Sequence, residues 1–157
     1  MTIKVKYFSE TMPRLNISKK GDWIDLRVSR ISINDIPIPW SLDCNGLFYN
    51  PNDFLLIYLG MAMEFSSRFE AHVRPRGSTF KKYGLIQVNS VGVIDHTYCG
   101  DDDEWFVPML AMRNGYIKRF DRIAQFRLVQ RMDAHSLIEV DRLGNKNRGG
   151  HGSTGYE

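Results

Sequence analysis

Arg76 and Ser78 stand in residues 74–84 (RPRGSTFKKYG), where groups suited to an anion gather. Ser78 is a capping residue type, residues 79–83 read as one short helix, and Gly84 is its C-terminal stop. A helix N-terminus offers unpaired N–H groups and partial positive charge, which suit phosphate oxygens. Arg76 adds a rigid fork of donors. The same letters also describe a capped surface turn with solvated Lys81 and Lys82. A carboxylate and a phenol, Asp95 and Tyr98, lie close together in GVIDHTYCG. Taken alone, they are a solvated strand-end acid and a packing ring. Asp25 falls inside an alternating strand pattern, where an acid needs a partner. The string Gly150-x-Gly152-x-x-Gly155 spells a dinucleotide fingerprint, but no helix can follow it before Glu157. His72, His96, His135 and His151 have no zinc spacing. Residues 101–104, four consecutive acids, read as a solvated loop.

Short strands have to position these groups. Residues 3–8 (IKVKYF) alternate, and residues 21–33 (GDWIDLRVSRISI) alternate around Asp25. Pro37 and Pro39 mark a turn, and residues 42–53 form a loop containing the Asn45-Gly46 turn pair. Residues 54–65 (FLLIYLGMAMEF) read as a buried strand bent at Gly60. Residues 85–88 and 91–94 are two apolar arms around Asn89-Ser90, the pattern of a β-hairpin. A further apolar run, 105–112, precedes Asn114-Gly115, which reads as a hairpin turn, and residues 122–130 (RIAQFRLVQ) alternate again. Many short strands and one short helix predict an all-β barrel or sandwich. Residues 1–143 form the expected domain. Residues 144–157 hold five of the thirteen glycines and no apolar cluster, so they cannot fold on a core of their own.

With 157 residues the chain is long enough for one domain with a real core. A formal net charge of +3 demands no polyanionic partner, so no nucleic acid is required. The most apolar stretch, residues 54–63, falls short of the ~20 residues that span a bilayer. No membrane association is expected, and the N-terminal MTIKVKYFSETM lacks a signal-peptide core. Cys44 and Cys99 are too few for a disulfide framework and read as free thiols in a reducing cytoplasm.

Five segments, in order, resemble the motifs of the trimeric deoxyuridine triphosphatases (dUTPases) of bacterial or phage type. Ile24-Asp25-Leu26 matches the first, with Trp23 where a glycine is usual. Pro75-Arg76-Gly77-Ser78 is similar to the second, with Gly77 replacing a serine. GVIDHTYCG resembles the third, with Thr97 and Cys99 in place of an aspartate and an arginine. It is preceded by Asn89 in an Asn-x-Val-Gly-x-Ile-Asp pattern that includes Gly92 and Ile94. Asp121-Arg122-Ile123-Ala124-Gln125 reproduces the fourth, with Phe120 for glycine, and GGHGSTG the fifth, with His151 in a phenylalanine position.

The resemblance implies a distorted jelly-roll of the β-clip type with one short helix. It implies a homotrimer whose mobile C-terminal arm closes a neighbour's site. The implied reaction is Mg2+-dependent hydrolysis of dUTP to dUMP and pyrophosphate. Asp95 would position and deprotonate water, Asp25 would hold a water on magnesium, and Gln125 would contact the α-phosphate. Arg76, Gly77 and Ser78 would bind phosphate. The turn at Asn89, Gly92 and Ile94 would read uracil, and Tyr98 would stack under deoxyribose and exclude a 2′-hydroxyl. In the arm, Arg148 stands near the family's arginine, His151 takes the place of the stacking ring, and Gly152, Ser153 and Thr154 would lie over the triphosphate. Asp121 and Arg122 are expected to be structural. Two alternatives stay open: a dCTP deaminase of the same fold, and a dUTP-responsive regulatory protein with little turnover, whose protein partner is unidentified.

Overall fold

The computed structural model describes residues 2–17, 21–39, 46–132, 135–147 and 149. Among them the chain forms thirteen strands and one helix. The strands are short because alternating apolar positions last only a few residues before a turn residue interrupts them. In chain order they are β1 (Lys4–Tyr7), β2 (Ile24–Arg27), β3 (Arg30–Ile33), β4 (Ile36–Ile38), β5 (Leu47–Tyr49), β6 (Phe54–Tyr58), β7 (Met61–Glu64) and β8 (Phe69–Pro75). The helix α1 (Thr79–Tyr83) follows, then β9 (Leu85–Gln87), β10 (Gly92–Ile94), β11 (Phe106–Ala111), β12 (Gly115–Ile117) and β13 (Arg122–Gln130).

Two antiparallel sheets carry the fold. One has the order β10-β8-β13-β2 and the other β4-β3-β6-β11-β9, while β1 with β7 and β12 with β5 form separate pairs. Leu26, Val73, Ile123 and Phe126 from the first sheet and Ile31, Leu55, Ile57, Val107 and Met109 from the second are buried in one common core. Sheet on sheet around one core is the expected jelly-roll architecture. Trp105 is fully buried in it, with edge contacts to Phe126 at 5.2 Å and Phe65 at 6.4 Å.

Gly60 bends residues 54–65, as the sequence predicts, at a φ of +71°. A Cβ there would come within 2.8 Å of Ser29. The bend hands the chain from β6, in the larger sheet, to β7, which pairs β1. Trp105 holds both sides of it, accepting from the Leu59 N–H and donating to the Met61 carbonyl, each at 2.9 Å.

Three expectations are corrected. Residues 21–33 are not one strand: Val28 bonds Asp121 and Phe120, whereas Ser29 bonds Tyr58, so the chain crosses between sheets at that step. Residues 85–94 are not a hairpin, because β9 pairs β11 while β10 pairs β8. Asn114-Gly115 does not close a hairpin either, since β12 leaves β11 and pairs β5. In residues 21–33 the apolar positions run Ile24, Leu26, Val28 and then Ile31 and Ile33, so the alternation changes phase at the crossing, where Val28 and Ser29 are both buried. Alternation reports which face of a strand is buried, not which strand is its partner.

Candidate active site

β9 and β10 part into different sheets, and the turn between them, with Ser90 at φ +60°, opens a cleft of about 270 Å3. Asn89, Gly92, Ile94, Asp95 and Tyr98 line it, and Val93, Trp105 and Phe106 complete it. The first five are residues that the sequence singles out. The last two lie in a run that reads as core: Trp105 is fully buried, whereas Phe106 is exposed.

Asp95 follows β10 directly, and one of its oxygens is held. The Thr97 N–H donates to Oδ1 at 2.9 Å, the Thr97 hydroxyl donates to it at 2.8 Å, and His96 Nδ1 lies 3.0 Å away. The Thr97 N–H, then its hydroxyl, hold the exposed carboxyl below its ordinary value, with smaller help from His96 and Arg131. No hydrogen bond among the described residues ends on Oδ2. One oxygen is therefore oriented and the other is available to solvent.

Tyr98 is set by Glu104. Its hydroxyl donates to the Glu104 main-chain carbonyl at 3.3 Å, and burial, followed by Asp103 and Glu104, raises its pKa. Glu104 is not a solvated acid, contrary to the expectation for residues 101–104. It is 7% exposed, accepts from the Gly60 N–H at 2.9 Å, and pairs with Arg30 at 2.6 Å. A carboxylate reaches the interior here because both its oxygens are hydrogen-bonded. The Arg30 guanidinium in turn lies over the Tyr58 ring, 3.3 Å from its centroid.

A second cluster occupies β2, β13 and the approach to α1. Asp25 is half-buried between two arginines, with Arg76 Nε donating to Oδ1 at 2.6 Å and Arg122 Nη1 to Oδ2 at 3.0 Å. These are the partners that its place in a strand demands. Gln125 stands opposite Asp25 on β13 and donates to the Pro75 carbonyl at 3.3 Å. The helix starts and stops where the sequence predicts, but the Ser78 side chain makes no capping hydrogen bond. Thr79 holds the turn instead: its hydroxyl accepts from the Arg76 N–H at 3.0 Å and donates to the Ile123 carbonyl at 2.7 Å. Gly77 and Ser78 are left exposed at the surface. From below, the Tyr49 hydroxyl donates to the Tyr83 carbonyl at 2.6 Å, and burial pushes its pKa up to about 12.

The two clusters do not meet within one chain. Asp25 is on β2 and Asp95 just beyond β10, the two outer strands of the smaller sheet. Three strand spacings, about 14 Å, separate the two strands, and the register sets Asp95 about four residues further along the sheet than Asp25. Arg148, His151, Gly152, Ser153 and Thr154 lie outside the described residues, as does Cys44. Cys99 is an exposed free thiol. Among the described residues, no three His, Cys, Asp or Glu side chains gather as metal ligands, and no helix is long and apolar enough to cross a membrane.

No family model matches the chain. It is 51% identical, over 99% of its own length and 99% of the relative's, to the SPbeta prophage-derived deoxyuridine 5'-triphosphate nucleotidohydrolase YosS of Bacillus subtilis (strain 168). Its fold is similar to a Staphylococcus bacteriophage 80alpha dUTPase mutant solved with dUpNHpp. The TM-score is 0.72 at 15% identity, and 98% of each chain is covered. A mutant dUTPase from phage phi11 of S. aureus, described as coordinating a structural Mg(II) ion, aligns with a TM-score of 0.69 at 14% identity, over 92% of this chain and all of that one.

Proposed function

The chain belongs to the dUTPase family, and on that footing we propose that it hydrolyses dUTP to dUMP and pyrophosphate, with Asp95 as the general base. The observation that carries the role of Asp95 is its asymmetry: Oδ1 is held by Thr97 while Oδ2 is free beside the cleft. Oδ2 takes a proton from water as the water oxygen bonds to the α-phosphorus. The bond from that phosphorus to its bridging oxygen breaks, and pyrophosphate leaves with the electron pair. The lowered pKa keeps Asp95 ionised throughout the neutral range, so orientation rather than high basicity is its contribution.

Phosphoryl transfer asks the protein mainly to position groups and balance charge. Arg76, Gly77, Ser78 and Gln125 take the phosphates. Tyr98, fixed at its hydroxyl, supports the sugar, and the turn at Asn89, Gly92 and Ile94 receives the base. Magnesium, when bound, neutralises phosphate charge. Asp25 suits a contact through water, because two guanidiniums beside it disfavour a bare divalent cation.

The protein assembles as a homotrimer in this reading, and the separation of the clusters supports it, since a neighbouring subunit can bring its Asp25 side to this chain's cleft. Leu137, Ile138 and Leu143, each more than 80% exposed beyond β13, supply apolar surface for such an assembly. Residues 144–157 act as the arm that closes a neighbour's site, with Arg148, His151, Gly152, Ser153 and Thr154 over the nucleotide. A chain ending at Asn145 should keep its fold and oligomeric state and lose most turnover. We assign the protein to the cytoplasm, where nucleotide triphosphates are held.

Pyrophosphate release from dUTP, dCTP, dTTP, dATP, dGTP and UTP tests the whole reading. Rapid release from dUTP alone is expected. Ammonia from dCTP would establish the deaminase instead, and tight dUTP binding without pyrophosphate would establish the regulatory protein.

A further inference from the structure

Gln87, at the end of β9, is half-buried and does not line the cleft, yet its amide controls a group that does. Its Nε2 donates to the Val73 main-chain carbonyl at 3.2 Å and to Asn89 Oδ1 at 2.8 Å. A carbonyl only accepts, so the atom facing Val73 has to be the amide nitrogen. Flipping Gln87 would set oxygen against oxygen. The same nitrogen then requires an acceptor from Asn89, which fixes Asn89 with its oxygen inward and leaves its NH2 unused among the described residues. The buried Gln87 Oε1 has no partner in either role, which leaves the Val73 carbonyl as the group that decides the orientation. Gly92 makes room for the arrangement: a Cβ there would lie 3.3 Å from the Val73 side chain and 3.4 Å from Gln87 Nε2.

We infer that Gln87 is a positioning residue for base selection, locking the Asn89 amide so that a donor faces the cleft. Asn89 lines the cleft, and a donor there complements a pyrimidine carbonyl and opposes an exocyclic amino group. Uracil carries a carbonyl where cytosine carries an amino group. With cytosine, two donors would face each other and neither would be satisfied. The inference rests on the cleft being the base site of the function proposed above, and deepens it: the polarity of discrimination is set from β8, through Val73, Gln87 and Asn89.

The test compares wild type, Gln87→Leu and Gln87→Glu. Leucine removes the relay. Ionised glutamate has no donor, so it accepts from the Asn89 NH2 and turns the Asn89 oxygen outward. For each protein, kcat and KM are measured for dUTP and dCTP by pyrophosphate release, affinities for dUMP and dCMP by calorimetry, and folding by thermal melting. The dUTP-to-dCTP ratio of kcat/KM should fall about tenfold in Gln87→Leu and further in Gln87→Glu, the value of one neutral hydrogen bond. The change should lie in KM and in the dUMP-to-dCMP affinity ratio, with kcat for dUTP nearly constant. An unchanged ratio in folded variants, or an equal loss for both bases, overturns the inference. Should the Gln87 variants not fold, Asn89→Asp supplies an acceptor directly, and a retained uracil preference in it also overturns the inference. A wild type that prefers dUMP to dCMP but releases no pyrophosphate defeats the hydrolase reading and leaves this one standing. A wild type without any base preference defeats this one.

Discussion

The cleft beside β10 and the arginine cluster on β2 and β13 are built on opposite principles. In the cleft each polar group is fixed by a neighbour that ligand binding need not disturb: Thr97 holds Asp95, Gln87 holds Asn89, and Glu104 holds Tyr98. In the cluster the groups proposed to meet phosphate and magnesium are bonded to each other, Arg76 and Arg122 to Asp25. The cleft is preorganised, and recognition there needs little rearrangement. The cluster is charge-balanced, so an arriving triphosphate has to compete with Asp25 for Arg76. Charged groups left unpaired in a half-buried position would be costly, and mutual pairing offsets that cost while no ligand is bound. The difference teaches that the groups proposed to select base and sugar sit in local contacts made before any ligand arrives, whereas those proposed to bind phosphate have to change partners.

The most severe break should come at the cleft's reacting group. Asp95→Asn keeps the shape and the Thr97 contacts but cannot take a proton. Turnover of dUTP should drop by about 10²–10⁴ with binding retained. Activity within a fewfold of wild type would remove Asp95 from the chemistry.

A loss of similar kind but smaller size is expected across the sheet. Asp25→Asn frees Arg76 and weakens a water-mediated hold on magnesium. Its Mg2+ requirement for turnover should rise by roughly 10–100-fold. An unchanged Mg2+ titration would make Asp25 only a strand ion pair.

Tyr98→Ala sharpens the contrast, because it opens the cleft without touching the cluster. Preference for dUTP over UTP should narrow by about tenfold, with the Mg2+ midpoint unmoved. Tyr98→Phe, losing only the bond to the Glu104 carbonyl, should sit between alanine and wild type. Equal discrimination in all three proteins would place sugar selection elsewhere.

Thr97→Val should produce the mildest effect, visible in a pH profile. The proposed base works in its ionised form, so activity should be lost as pH falls through the Asp95 pKa, which Thr97 holds below the ordinary value. Removing the hydroxyl raises that pKa, and the acid limb of kcat/KM should move to higher pH while the plateau stays level. A limb that does not move would show that the Thr97 hydroxyl does not set the protonation of the base.

Local signals were legible in proportion to how local the physics is. Residues 79–83 as a helix, Gly84 as its stop and Gly60 as a bend depend on neighbours in sequence, and the structure has all three. The motif residues were also legible, since Asp95, Tyr98, Asn89, Gly92 and Ile94 lie within ten positions and do line one cleft. What the linear pattern could not carry is pairing between distant strands. It read residues 85–94 as a hairpin, but β9 and β10 find better partners in β11 and β8, and their divergence is what opens the cleft.

By itself the sequence determined the family, the all-β class and the identity of most groups proposed for catalysis, because those rest on residue type and short spacing. Only the tertiary structure decided what holds them. Glu104 reads as one more loop acid until Arg30 and the Gly60 N–H, far away in sequence, satisfy it in the interior. Gln87 reads as an ordinary strand residue until the Val73 carbonyl dictates which way its amide points. Phe106 reads as core until the fold leaves it exposed in the lining of the cleft. Each of these depends on a contact whose energy is gained only when both sheets have formed, so no window of neighbouring residues contains it.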